Sequence, residues 1–332
     1  MSAPLRAGIL GAGAAAREIH GPAYAASDAA VLAGVASRRP ETAAALASQL
    51  GGGVTAYPSV DALLEADAID LISICTPPDT HRELTERAVA AGKHVLIEKP
   101  VAHTLADVAA LRELAASAPT VVDVVRNERY MELHRAAREL VAEGAVGTVT
   151  GVLLFTATTG PDDWTGGATW PKDASRGGGG VVLDLGVHKV DLVGWIVGAG
   201  ITDVTPVLTR APDIAEGDVE WAGALALMLD GGIPVSLTAS WLGPPDAMFV
   251  TVCGAEGVLQ ADGATGMLSV ARGDATETYR HPAPWGPGDD SAQAMVEDFL
   301  AACRGARRPD LASWDAGTRW VLEAYARAAA PA

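Results

Sequence analysis

Cysteine, positive charge and long apolar runs are all scarce in this sequence. The three cysteines, Cys75, Cys253 and Cys303, lie far apart, which argues against a disulfide framework and against a zinc site. The formal net charge of −17 disfavours nucleic acid and anionic membrane surfaces as partners, because both repel a polyanion. No stretch approaches the roughly 20 apolar residues that a membrane helix needs. We therefore expect a soluble, cytoplasmic protein without a metal site.

The composition is that of a compact globular protein large enough for two domains. Of the 332 residues, 49% are apolar and 20% are charged, which is typical of folded chains. In the first third, short apolar runs alternate with alanine-rich helical stretches, and this alternation predicts a parallel sheet with helices on both faces. The strands predicted there cover residues 5–10, 30–37, 68–78 and 94–99, with a helix starting at residue 14.

The residue pattern changes at about residue 148, after which strand-like runs are separated by Gly, Pro and Asp turns. These runs predict a mainly antiparallel sheet, and the last segment is again helical. We predict an α/β protein with a Rossmann dinucleotide-binding domain at 1–122 and an α+β domain at 123–332, whose C-terminal helices can pack back on the first domain.

A glycine-containing turn follows the first predicted strand. In GILGAGAAA, Gly11, Gly13 and Ala16 have the G-x-G-x-x-G/A spacing. Gly11 permits a tight turn, Gly13 lets the backbone approach a pyrophosphate, and Ala16 keeps helix and strand close. An alanine-rich sequence also produces this spacing by chance, but its place between a strand and a helix predicts dinucleotide binding, with Ala14 and Ala15 beside the phosphates.

The second predicted strand ends at Ser37, Arg38 and Arg39, where NAD-binding proteins usually carry an acid for the ribose hydroxyl. A serine hydroxyl and a bidentate guanidinium instead suit the 2′-phosphate of NADP(H). The alternative is that these arginines only begin a solvated helix. We predict NADP(H) in preference to NAD(H).

Glu98-Lys99-Pro100 ends the apolar run HVLI. A strand can leave the core in this way with no further role, since proline ends the ladder. Ligands of open parallel sheets, however, bind outside the carboxyl ends of the strands. There, Lys99 would project toward a nicotinamide, and Glu98 would hold Lys99 or a cofactor hydroxyl.

Asp184 and His188 follow the run GGGG at 177–180. Their spacing of four places both on one face of a helix. A helix cap and a surface histidine fit the same pattern. Together with Lys99 they form a candidate acid–base set, in which His188 exchanges a proton with a substrate hydroxyl, Asp184 orients substrate or imidazole, and Lys99 polarises the same oxygen.

The sequence resembles the glucose–fructose oxidoreductase, inositol dehydrogenase and rhizopine-catabolism family, Gfo/Idh/MocA. The matching stretches are GILGAGAAAREIH, ICTPPDTHRELTERAVAAGKHVLIEKPVA, ARELVAEGAVGTV and GGGGVVLDLGVHKVDLVGW. The resemblance implies a large, open, mainly antiparallel sheet in the second domain. It also implies hydride transfer between a nicotinamide and a carbinol or ketone of a sugar, cyclitol or related polyol, in a homodimer or homotetramer.

The resemblance also assigns site residues. The implied catalytic residues are Lys99, Asp184 and His188. The implied cofactor contacts beyond the glycine turn are Thr76, Pro77, His81, Glu98 and Asn127. The implied substrate contacts beyond the catalytic residues are Arg129, Trp170 and Lys172. Many relatives carry Asp at the position of Ser37, and this departure supports NADP(H).

Two other functions are compatible with the same residues. A relative can retain its nucleotide and use transient oxidation to cleave glycosides or epimerise a sugar. A non-catalytic sugar or NADP sensor can also be built on this fold, but it has no need of the intact Lys99, Asp184 and His188, which therefore favour an enzyme.

Overall fold

The structure is a computed structural model that describes residues 3–209, 216–244 and 247–329. None of the helices in these ranges is both long enough and apolar enough to cross a membrane.

Two compact units make up the protein. The first unit comprises Met1–Val125 and Ala292–Asp315, and the second comprises Arg126–Ser291 and Ala316–Ala332. The sequence-based boundary at 122/123 lies close to the break after Val125. The structure groups Ala292–Asp315 with the first unit, whereas the sequence-based division placed this segment in the second domain and allowed its helices to pack back on the first.

That C-terminal segment belongs to the first unit because its side chains are buried there. The indole Nε1 of Trp314 donates to the backbone oxygen of Val122 at 3.1 Å. Arg307 forms an ion pair with Asp123 at 2.9 Å. A local sequence pattern does not identify such partners, since nearly two hundred positions separate them.

The first unit contains a six-stranded sheet in the order β3-β2-β1-β4-β5-β6, and every pairing is parallel. Its strands are β1 Leu5–Leu10, β2 Ala30–Ala36, β3 Thr55–Ala56, β4 Leu71–Ile74, β5 His94–Ile97 and β6 Val122–Val124. The Rossmann prediction is confirmed.

Helices connect and cover these strands. They are α1 Gly21–Ala25, α2 Pro40–Leu50, α3 Val60–Leu64, α4 His81–Ala90, α5 Leu105–Ser117 and, late in the sequence, α10 Ser291–Cys303. Thr104 caps α5, where its hydroxyl accepts from the amide of Asp107 at 3.1 Å. The helix predicted after the glycine turn begins as a π-helical turn, Ala15–His20, before α1.

The strand order determines where ligands bind in the first unit. Strand β1 pairs with β2 on one side and with β4 on the other. Strands β2 and β3 therefore extend the sheet to one side of β1, and β4, β5 and β6 extend it to the other. The loops after β1, β2, β4 and β5 all leave the same edge of the parallel sheet. The carboxyl edge at such a switch point is the usual binding crevice.

The second unit contains an eight-stranded sheet in the order β14-β13-β12-β11-β7-β10-β9-β8. Only β7 and β10 pair in parallel. Its strands are β7 Val149–Ala157, β8 Ile201–Thr209, β9 Ala222–Leu229, β10 Ile233–Ser240, β11 Ala247–Gly254, β12 Val258–Asp262, β13 Met267–Arg272 and β14 Ala275–Arg280. The prediction of a mainly antiparallel sheet is confirmed.

The two faces of this sheet differ. One face is buried, and its side chains include Leu154, Val250 and Leu237. The helices of the unit are α6 Glu132–Ala142, α7 Asp162–Thr165, α8 Ala174–Gly177, α9 Val187–Val197 and α11 Ala316–Ala329. The opposite face leaves large apolar side chains exposed, which include Leu153, Val207, Met228 and Phe249.

Candidate active site

The glycine turn in the first unit is shaped by contacts with neighbouring strands. The amide of Gly11 donates to the backbone oxygen of Ala36 at 2.9 Å. Its φ is +103°, and a Cβ there would lie 2.5 Å from the backbone oxygen of Cys75, so only glycine fits. A Cβ on Gly13 would meet no atom within 4 Å. This bare backbone is accessible to a ligand, as a pyrophosphate contact requires.

The helix after this turn starts in an unusual form. Residues Ala15–His20 form a π-helical turn with Ala14 before it. Ala16 is fully buried, as its proposed role in close helix–strand packing requires. π-Helical turns are rare and often lie at functional sites, and here the turn directs His20 into the core.

The end of β2 presents two exposed arginines. Arg38 and Arg39 both face solvent. The hydroxyl of Ser37 instead donates to the backbone oxygen of Arg39 at 2.6 Å and lies 2.6 Å from the hydroxyl of Thr42. Ser37 therefore shapes the start of α2, and the guanidinium groups are the better candidates for a phosphate contact.

The loop after β4 is fixed by His81, which is fully buried. Its Nε2 lies 2.8 Å from the backbone oxygen of Thr76, and its Nδ1 lies 3.1 Å from that of Pro100. Burial lowers the pKa of His81. Pro77 belongs to the same loop, and its oxygen accepts from the hydroxyl of Thr80. His81 thus joins this loop to the turn that follows Lys99.

Glu98 lies in the core directly before Lys99. Its Oε1 accepts from Nε2 of His20 at 2.9 Å, and its Oε2 accepts from the backbone amide of Lys99 at 2.9 Å. Burial raises the pKa of Glu98, but the interactions with His20 and with the ammonium of Lys99 lower it by more, so the pKa lies below its usual value. An ionised Glu98 thereby fixes the backbone at Lys99.

A series of buried hydrogen bonds continues from this carboxylate. Nδ1 of His20 lies 3.0 Å from the hydroxyl of Ser73, which lies 2.8 Å from that of Tyr24. Because a carboxylate only accepts, a neutral His20 ring carries its proton on Nε2. Ser73 then donates to Nδ1 and accepts from Tyr24, and each polar atom of the series has a partner.

In the second unit, Asp184 and His188 lie on either side of a change in helix type. Asp184 belongs to the π-helical turn Val182–Gly186, and His188 belongs to α9. Trp241 donates through Nε1 to Oδ2 of Asp184 at 3.1 Å. This π-helical turn, like the one at Ala15–His20, lies at a candidate functional residue.

The glycine run before Asp184 is held by Glu220. The carboxylate accepts from the amides of Gly180 and Val182, each at 3.0 Å. Tyr325 donates to Glu220 Oε1 at 2.6 Å. A Cβ on Gly180 would lie 2.0 Å from the backbone oxygen of Glu220, and one on Gly179 would collide with the Tyr325 ring. Both glycines are therefore needed for this support.

A buried ion pair lies beside His188. The ammonium of Lys189 is 2.6 Å from each oxygen of Glu128. Burial alone would raise the pKa of Glu128, but Lys189 and the rings of His188 and His134 lower it to about 2. Glu128 is therefore ionised at any ordinary pH.

A cleft of about 80 Å³ opens beside this pair and within the second unit alone. Its lining combines acid, hydroxyl, imidazole and aromatic groups. The lining residues are Glu128, Thr156, Ala157, Thr158, Leu185, His188, Ala247, Met248 and Trp285.

Two of the remaining predicted contacts lie at the start of the second unit. Asn127 is buried, and its Oδ1 has no hydrogen-bond partner in the described part of the protein. Such an orphaned acceptor is unusual in a folded protein and favours a ligand contact. Arg129 donates through Nε and Nη2 to Asp191 at 2.7 and 2.6 Å, so this ion pair takes much of its binding capacity.

Trp170 and Lys172 lie in one 3₁₀ turn, Trp170–Lys172. The ammonium of Lys172 contacts Asp162 at 2.9 Å and Glu216 at 2.7 Å. The rings of Trp164 and Trp170 pack edge to face at 5.9 Å. Substrate contacts of Trp170 and Lys172 stay predictions.

Sequence reasoning missed several residues that the structure brings to these sites. His20 and Glu128 are buried titratable side chains, and Trp285 is an exposed aromatic. The stretches that carry the resemblance include His20 but assigned it no role. The role of such a buried residue depends on the group to which it hydrogen-bonds, and that group lies far away in the sequence.

Comparisons with known proteins agree with this architecture. Residues 5–125 match the model of the oxidoreductase family with an NAD-binding Rossmann fold, and residues 134–260 match the GFO/IDH/MocA C-terminal domain. The chain belongs to the Gfo/Idh/MocA family. It is an NAD(P)-dependent oxidoreductase acting on CH–OH groups.

The similar proteins include enzymes and solved structures that span nearly the whole chain. A dTDP-3,4-didehydro-2,6-dideoxy-alpha-D-glucose 3-reductase from Streptomyces violaceoruber is 33% identical and covers 91% of this chain and 86% of its own length. KijD10, a 3-ketoreductase from Actinomadura kijaniata solved with NADP and TDP-benzene, has a TM-score of 0.82 at 25% identity, over 97% and 96% of the two chains.

A third similar protein was solved with a different nucleotide. GenD2 from gentamicin A biosynthesis, in complex with NAD, has a TM-score of 0.84 at 26% identity, over 99% of this chain and 95% of its own. A nicotinamide cofactor is therefore common to these relatives, whereas the choice between NAD and NADP differs among them.

Proposed function

We propose that this protein is an NADP(H)-dependent oxidoreductase that transfers a hydride between the nicotinamide and a carbinol or ketone of a sugar, cyclitol or related polyol. The observation that carries the proposal is that Lys99, at the carboxyl edge of a Rossmann sheet, and the Asp184/His188 pair occur together in a protein of this family. The names of its relatives, a sugar 3-reductase and an inositol 2-dehydrogenase among them, support the substrate class.

Each proposed catalytic group has a distinct task. The nicotinamide, when bound, exchanges the hydride with the substrate carbon. His188 carries the proton to or from the oxygen on that carbon. The ammonium of Lys99 polarises the same oxygen, and Glu98 holds the backbone from which Lys99 projects. Asp184, itself hydrogen-bonded by Trp241, orients the substrate or the imidazole.

The proposed cofactor contacts rest on the open backbone of the glycine turn and on the exposed charges after β2. The backbone at Gly13, Ala14 and Ala15 would receive the pyrophosphate. Arg38 and Arg39 would receive the 2′-phosphate of NADP(H).

A substrate panel tests this function. Reduced-nicotinamide absorbance would be followed with glucose, myo-inositol, a hexopyranoside and an acyclic polyol, each with NADP⁺ and with NAD⁺, and with keto sugars and both reduced cofactors. Net formation or loss of reduced cofactor with a cyclic substrate is expected. Turnover without net absorbance change would show a nucleotide-retaining enzyme instead.

The cofactor preference makes a separate prediction. NADPH should bind more tightly than NADH, and Arg38→Ala should weaken NADPH binding by about 1–3 kcal/mol, the range for hydrogen bonds to charged groups. Fluorescence titration measures both affinities. The internal control is NADH, whose affinity should be nearly the same for the variant and the wild type, because NADH lacks the 2′-phosphate. Equal affinity of the wild type for the two nucleotides would contradict the prediction.

We propose that the exposed sheet face of the second unit forms a symmetric homo-oligomer. Leu153 and Phe249 both lie on this face. Leu153 and Phe155 are two residues apart in β7 and so point to the same side, and Phe155 pairs with Phe249 of β11. Leu153 and Phe249 are 55% and 42% exposed, and an apolar surface of this kind is typical of interfaces.

Light scattering should give a multiple of the 33.9 kDa monomer mass. Leu153→Lys/Phe249→Lys should give the monomer mass, because charges on both copies would be buried unpaired. Val31→Lys, at an exposed apolar residue of the first unit, is the matched control. A monomeric wild type at micromolar concentration would rule out the assembly.

A further inference from the structure

Trp285 stands out among the residues that line the cleft beside His188. It is 48% exposed, although a single exposed aromatic is not informative by itself. Its backbone is the second observation. With φ at +62°, Trp285 is the one non-glycine residue with positive φ in the described part of the protein. A bulky residue in this conformation is strained, and such residues cluster at ligand sites.

The loop around Trp285 is held in place by its own hydrogen bonds. The amide of Trp285 donates to Oδ2 of Asp289 at 2.7 Å, and Oδ1 of Asp289 accepts from the amide of Ser291 at 3.0 Å. The amide of Gly286 donates to the oxygen of Ala283 at 2.9 Å. Trp285, which lines the cleft, is therefore held by an ordered turn.

Glu128 supplies a fixed acceptor in the same cleft. Both of its oxygens accept from Lys189, which orients the carboxylate. Each carboxylate oxygen has a second lone pair, and Glu128 is one of the residues that line the cleft. It stays ionised, so a hydroxyl that reaches it would form a charge-assisted hydrogen bond.

An apolar plane, a fixed anion and His188 in one cleft suit a particular kind of ligand. The ring of a pyranose or cyclitol has one face rich in C–H bonds and hydroxyl groups around its edge. An aromatic plane packs against the C–H-rich face, and a carboxylate accepts a hydrogen bond from a hydroxyl group at the edge. An acyclic polyol has equivalent hydroxyl groups but no rigid ring face.

We propose that Trp285 and Glu128 form a subsite for the ring of a cyclic sugar or cyclitol. Trp285 covers one C–H-bearing face, and Glu128 accepts a hydrogen bond from a ring hydroxyl. This subsite selects cyclic over acyclic compounds. The inference rests on the proposed function only in taking His188 as the neighbouring proton-transfer group.

The test measures binding without turnover. The protein is saturated with NADPH, which cannot oxidise a polyol, and is titrated with 1,5-anhydro-D-glucitol, myo-inositol and the acyclic D-glucitol by calorimetry. At least one ring compound should bind, and D-glucitol should bind about tenfold more weakly or worse. Trp285→Ala should weaken ring binding about 10- to 100-fold, the order of magnitude of one lost stacking contact. Trp285→Phe should restore most of it.

Two further variants separate the subsite from general effects. Tyr279→Ala removes another exposed aromatic of the second unit and should leave ring binding unchanged. Glu128→Leu/Lys189→Met removes the acceptor without leaving an unpaired buried charge, and should weaken ring binding about tenfold. Saturation-transfer NMR should show the strongest saturation on protons of one ring face in the wild type, and this pattern should be lost in Trp285→Ala.

Failure of the subsite and failure of the proposed function give different results. Unchanged ring binding in Trp285→Ala, equal binding of D-glucitol, or no ring binding by the wild type would overturn the subsite, even if Lys99-dependent hydride transfer occurs. Ring binding that depends on Trp285, with no hydride transfer to or from any compound of the panel, would support the subsite and reject the proposed hydride transfer on a sugar, cyclitol or related polyol.

Discussion

Lys99→Ala and His188→Ala should each lower kcat by about 10²–10⁴, the span typical of general acid–base groups. Both side chains are proposed to act on the oxygen of the carbon that exchanges hydride. Cofactor affinity should change far less, because the glycine turn and the exposed arginines are proposed to carry most of that binding. Steady-state kinetics on the identified substrate and nucleotide titration measure the two effects.

The double variant gives a more specific expectation. The factor by which it lowers kcat should be much smaller than the product of the two single factors, since the effects of groups that act as a unit are not additive. Lys99→Arg keeps the charge but cannot readily release a proton, so partial activity there would assign Lys99 an electrostatic role.

His103→Ala is the matched control for these variants. His103 lies 3.7 Å from Asp107 in the first unit and belongs to neither candidate set, so its removal should leave kcat unchanged. Near-native turnover of Lys99→Ala would mean that Glu98-Lys99-Pro100 is only the exit of a strand from the core.

The sequence could predict the residues that lie at the ends of parallel strands. Gly11, Arg38, Thr76 and Lys99 each follow a strand of the first sheet, and parallel strands end at one edge whatever their order. Local rules therefore sufficed for the fold class and for the candidate cofactor residues of the glycine turn and of β2, whereas Thr76 was assigned through the family resemblance. Strand β1 matches its predicted residues 5–10, whereas the other three predicted strands are longer than observed. The difference is largest at β4, which covers only Leu71–Ile74, because the residues around it continue the run without joining the ladder.

The polar supports of the site could not be predicted in the same way. His20 and Glu98 are 78 positions apart, and Lys189 and Glu128 are 61 positions apart. No periodic pattern relates such residues, since their contact depends on how whole elements pack. The resemblance assigned Arg129 to the substrate, but it did not indicate that Asp191 binds the guanidinium through two nitrogens.

The ion pair under the cleft leads to the second prediction with a large effect. Lys189→Met should lower the free energy of unfolding of the second unit by about 3–5 kcal/mol, the usual cost of leaving one buried charge unpaired. Glu128→Leu/Lys189→Met should recover most of that loss, because an apolar pair of similar volume carries no desolvation penalty. Asp203→Asn is the control, since its ion pair with Arg327 is exposed and should contribute little to stability.

Tryptophan fluorescence in urea follows this unfolding, because seven of the eight tryptophans belong to the second unit and only Trp314 belongs to the first. The pH dependence provides a stricter test. In the wild type the pKa of Glu128 is lowered to about 2, so the stability from its ionised form is present above the ordinary carboxyl pKa and is lost only in strong acid.

In Lys189→Met, we expect burial to outweigh the remaining rings of His188 and His134 and to raise the pKa of Glu128 above its ordinary value. The destabilisation is then largest above that raised pKa and disappears as the carboxyl protonates. The stability difference between wild type and Lys189→Met should therefore narrow as the pH falls from about 7 to about 5. A difference that is constant over this range would mean that the loss comes from packing around the substituted thioether side chain and not from an unpaired Glu128 carboxylate.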